Sequence, residues 1–154
     1  MGTVLDTTVF IELERAMRGL PTARAMTEAT QRLASQLGEN EEVALAAITA
    51  SELLHGVHRA GDEHRGRRAA FVEAVIDAFP TLSFDLLVAR VHARLWAGLA
   101  SSGTEVGAHD RLVAATAMSA GWRVGTANIR HFNRIAGLEV ISLQIARPTT
   151  DSGQ

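Results

Sequence analysis

Residues 43–57 read VALAAITASELLHGV. The run from Val43 to Ile48 is apolar at every position, of strand length, and shows no alternation, the pattern of a strand buried on both faces of a parallel sheet. Thr49 and Glu52 then stand three apart, the spacing of a capping box, and Leu53, Leu54 and Val57 follow at helical intervals. A buried strand running directly into an amphipathic helix is half of a βαβ unit, and a parallel sheet needs such crossovers.

The pattern recurs outward in both directions. Upstream, Thr3 to Leu5 is a short apolar run ended by Asp6, after which Val9, Phe10, Leu13 and Met17 mark a helix. Pro21 opens a second helix reaching about Leu37, closed by Gly38, Glu39 and Asn40. Downstream, helices are expected over 62–79, with Pro80 as the stop, over 85–100 and over 108–120, the last followed by Gly121 in the C-terminal position that favours glycine. Short strands are expected at Thr81 to Phe84, Trp122 to Thr126 and Leu138 to Leu143, with a short helix from Asn128 to Ile135. The alternation predicts one three-layer α/β/α domain over residues 1–146 around a mostly parallel sheet, with a loose polar tail at 147–154.

Composition bounds the function. The chain has 154 residues, 47% of them hydrophobic and 21% charged, a net charge of -2 and no cysteine. That length supports one core. The lack of thiols excludes a disulfide scaffold, an iron–sulfur cluster and a cysteine zinc finger, and fits a reducing cytosol. No apolar run approaches the roughly 20 residues of a membrane span, and MGTVLDTTVF does not read as a signal peptide, so a cytoplasmic location is expected. All 15 basic residues are arginine. Without lysine there is no Walker-type phosphate loop and no Schiff base.

In open α/β sheets ligands gather beyond the carboxyl ends of the strands. Four polar residues follow strands or open helices there: Asp6, Glu52, Asp110 and Asn128. Each has a plain structural role open to it, since Asp6 and Asn128 suit N-caps, Glu52 the acidic half of a capping box, and Asp110 the positive end of a helix. Their common placement at one edge of the sheet favours convergence. Three carboxylates held together repel, and a divalent cation relieves them. Oxygen donors without thiolate or imidazole favour a hard ion, Mg2+ or Mn2+. Glu52, His55 and His58 share a helix face but lack the HExxH spacing, and solvated histidines are expected. Arg59, Arg65, Arg67 and Arg68 are interleaved with Asp62 and Glu63 and read as a mixed surface. Arg111, Arg123, Arg130, Arg134 and His131 lie in a stretch poor in acids and form the better phosphate patch.

LDTTVFIELE (5–14), ITASELLHGV (48–57), HDRLVAATAMSAGW (109–122) and VGTANIRHFNRIAGLEVI (124–141) together resemble the four blocks of a PIN domain, in particular of the VapC-type toxins of bacterial toxin–antitoxin pairs. The resemblance covers most of the chain in order, and the block after Gly107 is its most specific part. It implies an Mg2+- or Mn2+-dependent endoribonuclease in which Asp6 and Asp110 are metal ligands, Glu52 binds through water or orients the nucleophile, and Asn128 stands where many members carry a fourth acid. Asparagine there lowers the site's negative charge and argues against a second tightly held cation. Thr7 and Thr126 are expected to support the carboxylates, and Arg111, Arg130 and Arg134 to contact RNA.

The resemblance further implies a homodimer and a small VapB-type antitoxin that covers the groove and presents an arginine to the carboxylates, docking on 21–37 and 62–79. A receiver-type phosphoacceptor domain has the same alternating plan but needs a lysine, and a haloacid-dehalogenase-type phosphatase needs an aspartate where Thr8 stands. The remaining alternative is a PIN-like module that binds RNA or protein without cutting.

Overall fold

The computed structural model describes residues 1–145; the expected tail at 147–154 and the boundary before it lie outside the described residues. Five strands form one sheet: β1 (Gly2–Leu5), β2 (Glu42–Ala46), β3 (Thr81–Leu82), β4 (Arg123–Thr126) and β5 (Val140–Ser142). Their spatial order is β3-β2-β1-β4-β5, and every neighbouring pair is parallel. Six helices provide the crossovers: α1 (Thr7–Ala16), α2 (Thr22–Leu37), α3 (Ala47–Arg59), α4 (Asp62–Ala78), α5 (Leu86–Ser101) and α6 (Ala108–Ala120).

The continuous apolar runs have the consequence read from them. Along β1 and β2 successive side chains enter opposite cores. Leu5 and Leu45 join the helices α1, α2 and α4 through Phe10, Leu33 and Val72. Val4 and Ala46 join α6 through Val113 and Ala117. This is the expected three-layer α/β/α arrangement, with α5 packed outside α6.

Several boundaries move. α3 starts at Ala47, two residues before the expected capping box, because pairing of β2 with β1 ends near Leu5↔Leu45 and the alanines that follow are strong helix formers. Thr49 is therefore inside the helix, buried, with its hydroxyl unpaired, and Glu52 makes no capping contact. The strand expected over 81–84 shortens to two residues at the sheet edge, and the helix expected over 128–135 reduces to a 3-10 turn, Ile129–His131. Two expected ends hold: the Asp85 carboxylate accepts the Val88 backbone N–H and caps α5, and Gly121 takes the left-handed conformation after α6.

At the centre of the sheet, Gly125 of β4 lies so close to its neighbours that an added Cβ would stand 2.9 Å from Leu5 Cδ2 and 3.0 Å from Leu143 Cδ1. Contacts this short force the Leu5, Thr3 and Leu143 methyl groups to shift. Gly125→Ala is expected to destabilise the protein by about 1–3 kcal/mol through overpacking, seen as a lower urea midpoint with an unchanged slope.

Candidate active site

The chain order of the strands creates the site. From β1 the chain moves outward to β2 and β3, then returns through α5 and α6 to place β4 on the other side of β1. At such a reversal the connections leave in opposite directions and open a crevice at the carboxyl ends of the two strands. Asp6 stands at the end of β1, its backbone N–H bonded to the Gly125 carbonyl of β4 at 3.0 Å.

Asp6 precedes α1, yet it is no simple cap. Its carboxylate makes no hydrogen bond to the helix backbone and accepts instead from two hydroxyls, Thr8 Oγ1 at 2.6 Å and Thr126 Oγ1 at 3.1 Å. Each hydroxyl in turn accepts a backbone N–H from the loop after β4: Ala127 to Thr8 at 3.1 Å, and Asn128 to Thr126 at 2.9 Å. The two threonines so relay the polarity of two amides to a carboxylate that is 3% exposed. Burial nevertheless dominates and pushes the Asp6 carboxyl up to about 6 from its ordinary 3.8, with the Asp110 charge adding to the rise and the two hydroxyls and His131 opposing it.

Asp110, in the first turn of α6, faces Asp6 across the crevice. Its carboxyl is also raised, by burial first and then by Glu52, while His131 and His109 pull it down. His131 Nδ1 is 3.6 Å from Asp110 Oδ2, and the other ring nitrogen, Nε2, is 3.0 Å from Asn128 Nδ2. Glu52 projects from α3, held by Thr7 Oγ1, which donates to its Oε1 at 2.9 Å, and by His109 Nδ1, 3.3 Å from its Oε2.

Asp6 and Asp110 come together, Asn128 joins them through Thr126 and His131, and Glu52 is near enough to act on the charge of Asp110. Thr7 and Thr126 each donate to a carboxylate of the site, and Thr8, which the sequence reading does not single out, does so too. Thr7 serves Glu52, and Thr8 joins Thr126 on Asp6. Among the described residues, the cluster whose donor atoms all lie within 4.8 Å of one another is Asp6, Asp110 and His131. The sequence groups His131 with the arginines, and its place three residues after Asn128 is the signal that sets it with the site.

The arginines separate as well. Arg111 stacks 5.0 Å from the centre of the Trp96 ring and donates to the Val106 carbonyl at 2.7 Å. Arg123 starts β4 and so lies at the opposite end of the sheet, donating to Thr3 Oγ1 and paired with Glu41. It does not belong to the phosphate patch. Arg130 and Arg134 are exposed beside the 3-10 turn. His55 and His58 are exposed on α3, and Arg65 and Arg68 pair with Asp62 and Glu14.

Residues 3–138 match the family model described as PIN domain. The chain belongs to the PIN-domain family. Ribonuclease VapC1 of Rickettsia felis is 32% identical to this PIN domain over 144 residues, covering 93% of the chain and 97% of that protein. Within the family it groups with the VapC-type members. Among solved structures, DNA-bound VapBC from Salmonella typhimurium contains a chain 27% identical, with a TM-score of 0.74 over 94% of this PIN domain and 99% of that chain. VapBC-5 from Mycobacterium tuberculosis contains one 32% identical, with a TM-score of 0.66 over 92% and 98%. No helix among the described residues is long and apolar enough to cross a membrane.

Proposed function

We propose that this PIN domain is an endoribonuclease that cuts RNA phosphodiester bonds with Mg2+ or Mn2+, acts as the toxin of a type II toxin–antitoxin pair in the cytoplasm, and is silenced by a VapB-type antitoxin. The observation that carries this reading is the pairing of Asp110 with a buried Asp6 at the sheet's reversal point, in a chain 32% identical to a ribonuclease along almost its whole length.

The donor set fits a hard cation: carboxylate oxygens converge, and burial raises both aspartates, with the Asp110 charge adding to Asp6 and the Glu52 charge to Asp110, a strain that a dication removes. Asp6 and Asp110 would hold it, with Glu52 joining through water. Such a cation lowers the pKa of an attacking water and offsets negative charge gathering on the phosphate. Glu52, held at Oε1 by Thr7 and with Oε2 beside His109 Nδ1, would orient that water. Asn128, its backbone N–H bound to Thr126, presents its amide to the phosphate. Arg130 and Arg134 draw the RNA backbone toward the crevice. Nothing in this set reads a base.

The antitoxin surface follows from a cavity of about 240 Å³ between α1, α2 and α4, floored by Met17, Leu20, Ala25 and Phe71 and edged by Arg18 and Arg67. It lies on the two segments expected to dock the antitoxin. A second cleft shares Arg18, Glu14 and Arg68 with it and ends at Thr7 and Glu52. An antitoxin helix seated in the first and extended along the second would bring an arginine to the carboxylates, where a guanidinium competes with the cation for the same charge. A homodimer belongs to the same reading, with Leu86, Leu87 and Trp96, 68%, 60% and 53% exposed along α5, as the apolar face a second copy covers.

Cleavage of total bacterial RNA by the purified chain tests the proposal. Expected is cutting with Mg2+ or Mn2+, loss in EDTA, and a loss of about a hundredfold or more in Asp110→Asn, with a chain that still folds. RNA bound but uncut at every Mg2+ and Mn2+ level would establish the non-cutting module instead.

A further inference from the structure

His131 comes from the loop after β4 and turns its ring toward the two aspartates, although it is 41% exposed and free to face solvent. Its Nδ1 stands 3.6 Å from Asp110 Oδ2, longer than a good hydrogen bond of about 2.7–3.2 Å. That separation suits two donors on one ion, since each bond of about 2.0–2.2 Å allows its two ligands to lie up to about 4.4 Å apart. One oxygen of each aspartate and a His131 nitrogen all fall within 4.8 Å of one another.

Taking the metal-dependent reading above as its basis, we propose that His131 Nδ1 is a protein ligand of the cation together with Asp6 and Asp110, and that Asn128 is the residue that orients it. A ligating imidazole nitrogen carries no proton, and the other ring nitrogen then donates to a neighbouring acceptor that fixes the ring. Asn128 is at that nitrogen, 3.0 Å from Nε2. With its amide turned so that Oδ1 faces the ring, Asn128 accepts the Nε2–H and leaves Nδ1 bare toward the aspartates.

The amide at 128 thereby acquires a task that its lack of charge suits. An aspartate there would accept the same proton but add a negative charge to a crevice where a buried Asp6 and a half-buried Asp110 already lie together. The nitrogen donor also biases the site. Imidazole binds first-row transition ions better than it binds Mg2+, so Mn2+ is preferred beyond what an all-carboxylate site would give.

The full chain loaded with one equivalent of Mn2+ and examined by pulsed electron paramagnetic resonance tests this directly. Expected is a nitrogen-14 coupling of the imidazole type in the wild-type chain that disappears in His131→Gln. By calorimetry, Mn2+ affinity should fall about tenfold or more in His131→Gln, and less in Asn128→Ala, while Mg2+ affinity changes about threefold or less. The far-UV spectrum of each variant checks that it folds, and the exposed position of His131 favours that. Mn2+ bound without nitrogen coupling, or a coupling that survives in His131→Gln, overturns the assignment of His131 and leaves the metal-dependent reading standing. A wild-type chain that binds neither ion overturns that reading, and this one with it.

Discussion

Asp6→Asn is expected to abolish RNA cleavage and at the same time to stabilise the cation-free protein. The first effect follows from the proposed role of Asp6, the one fully buried carboxylate of the crevice, as a ligand of the cation. Metal assistance contributes several kcal/mol of charge stabilisation, so a loss of about a thousandfold or more is expected. The second follows from proton linkage. The folded chain keeps a proton on Asp6 up to about pH 6, whereas the unfolded chain releases it near its ordinary 3.8. Between those values the native state holds more protons, so stability declines as pH rises through the interval, and on the order of 3 kcal/mol is missing at pH 7. Asparagine can still accept the Thr8 hydroxyl and never charges. Its unfolding midpoint in EDTA should be higher than wild type at pH 7 and nearly equal to it at pH 4, with the two curves separating through pH 4–6. Equal midpoints at pH 7 would mean that Asp6 is solvated or already compensated. Added Mn2+ should reverse the order, stabilising the wild type and not the variant.

Phe132→Ala is expected to cost about 3–5 kcal/mol, a large part of the total stability of a domain this size. Phe132 is fully buried in the core on the α6 side and follows directly on the 3-10 turn, so it anchors the loop that carries Asn128 and His131. Removing the ring leaves a cavity under that loop, and Asn128 and His131 lose the support that aims them at Asp110. Chemical denaturation checks the stability term. Cleavage measured well below the variant's unfolding midpoint checks the second, and should fall further than the folded fraction does. Activity tracking the folded fraction alone would show that the loop is held by its hydrogen bonds and needs no anchor.

Much of this architecture was legible before the coordinates, for identifiable reasons. The runs at 3–5 and 43–48 lack alternation because Val4 and Leu5, or Leu45 and Ala46, enter different cores, and only a sheet covered on both faces imposes that. Asp6, Glu52 and Asp110 stood out because each follows a strand or opens a helix on one side of the sheet. What escaped was set by partners distant in the chain. Thr49 and Glu52 have the spacing of a capping box, but the end of the β1–β2 pairing decides where α3 begins. Thr7 and Thr8 are adjacent and chemically alike, and which one meets Asp6 depends on the direction each takes from α1. Arg123 looked available to phosphate until Glu41 and Thr3, more than eighty residues earlier, came beside it.

The threonine hydroxyl on Asp6 from β4 comes from 120 residues further along the chain. The strand that walls the pocket therefore follows β2 and β3 in chain order and lies on the other side of β1 from them. A fragment ending anywhere before residue 126 carries Asp6 without the strand that supplies its Thr126 hydroxyl.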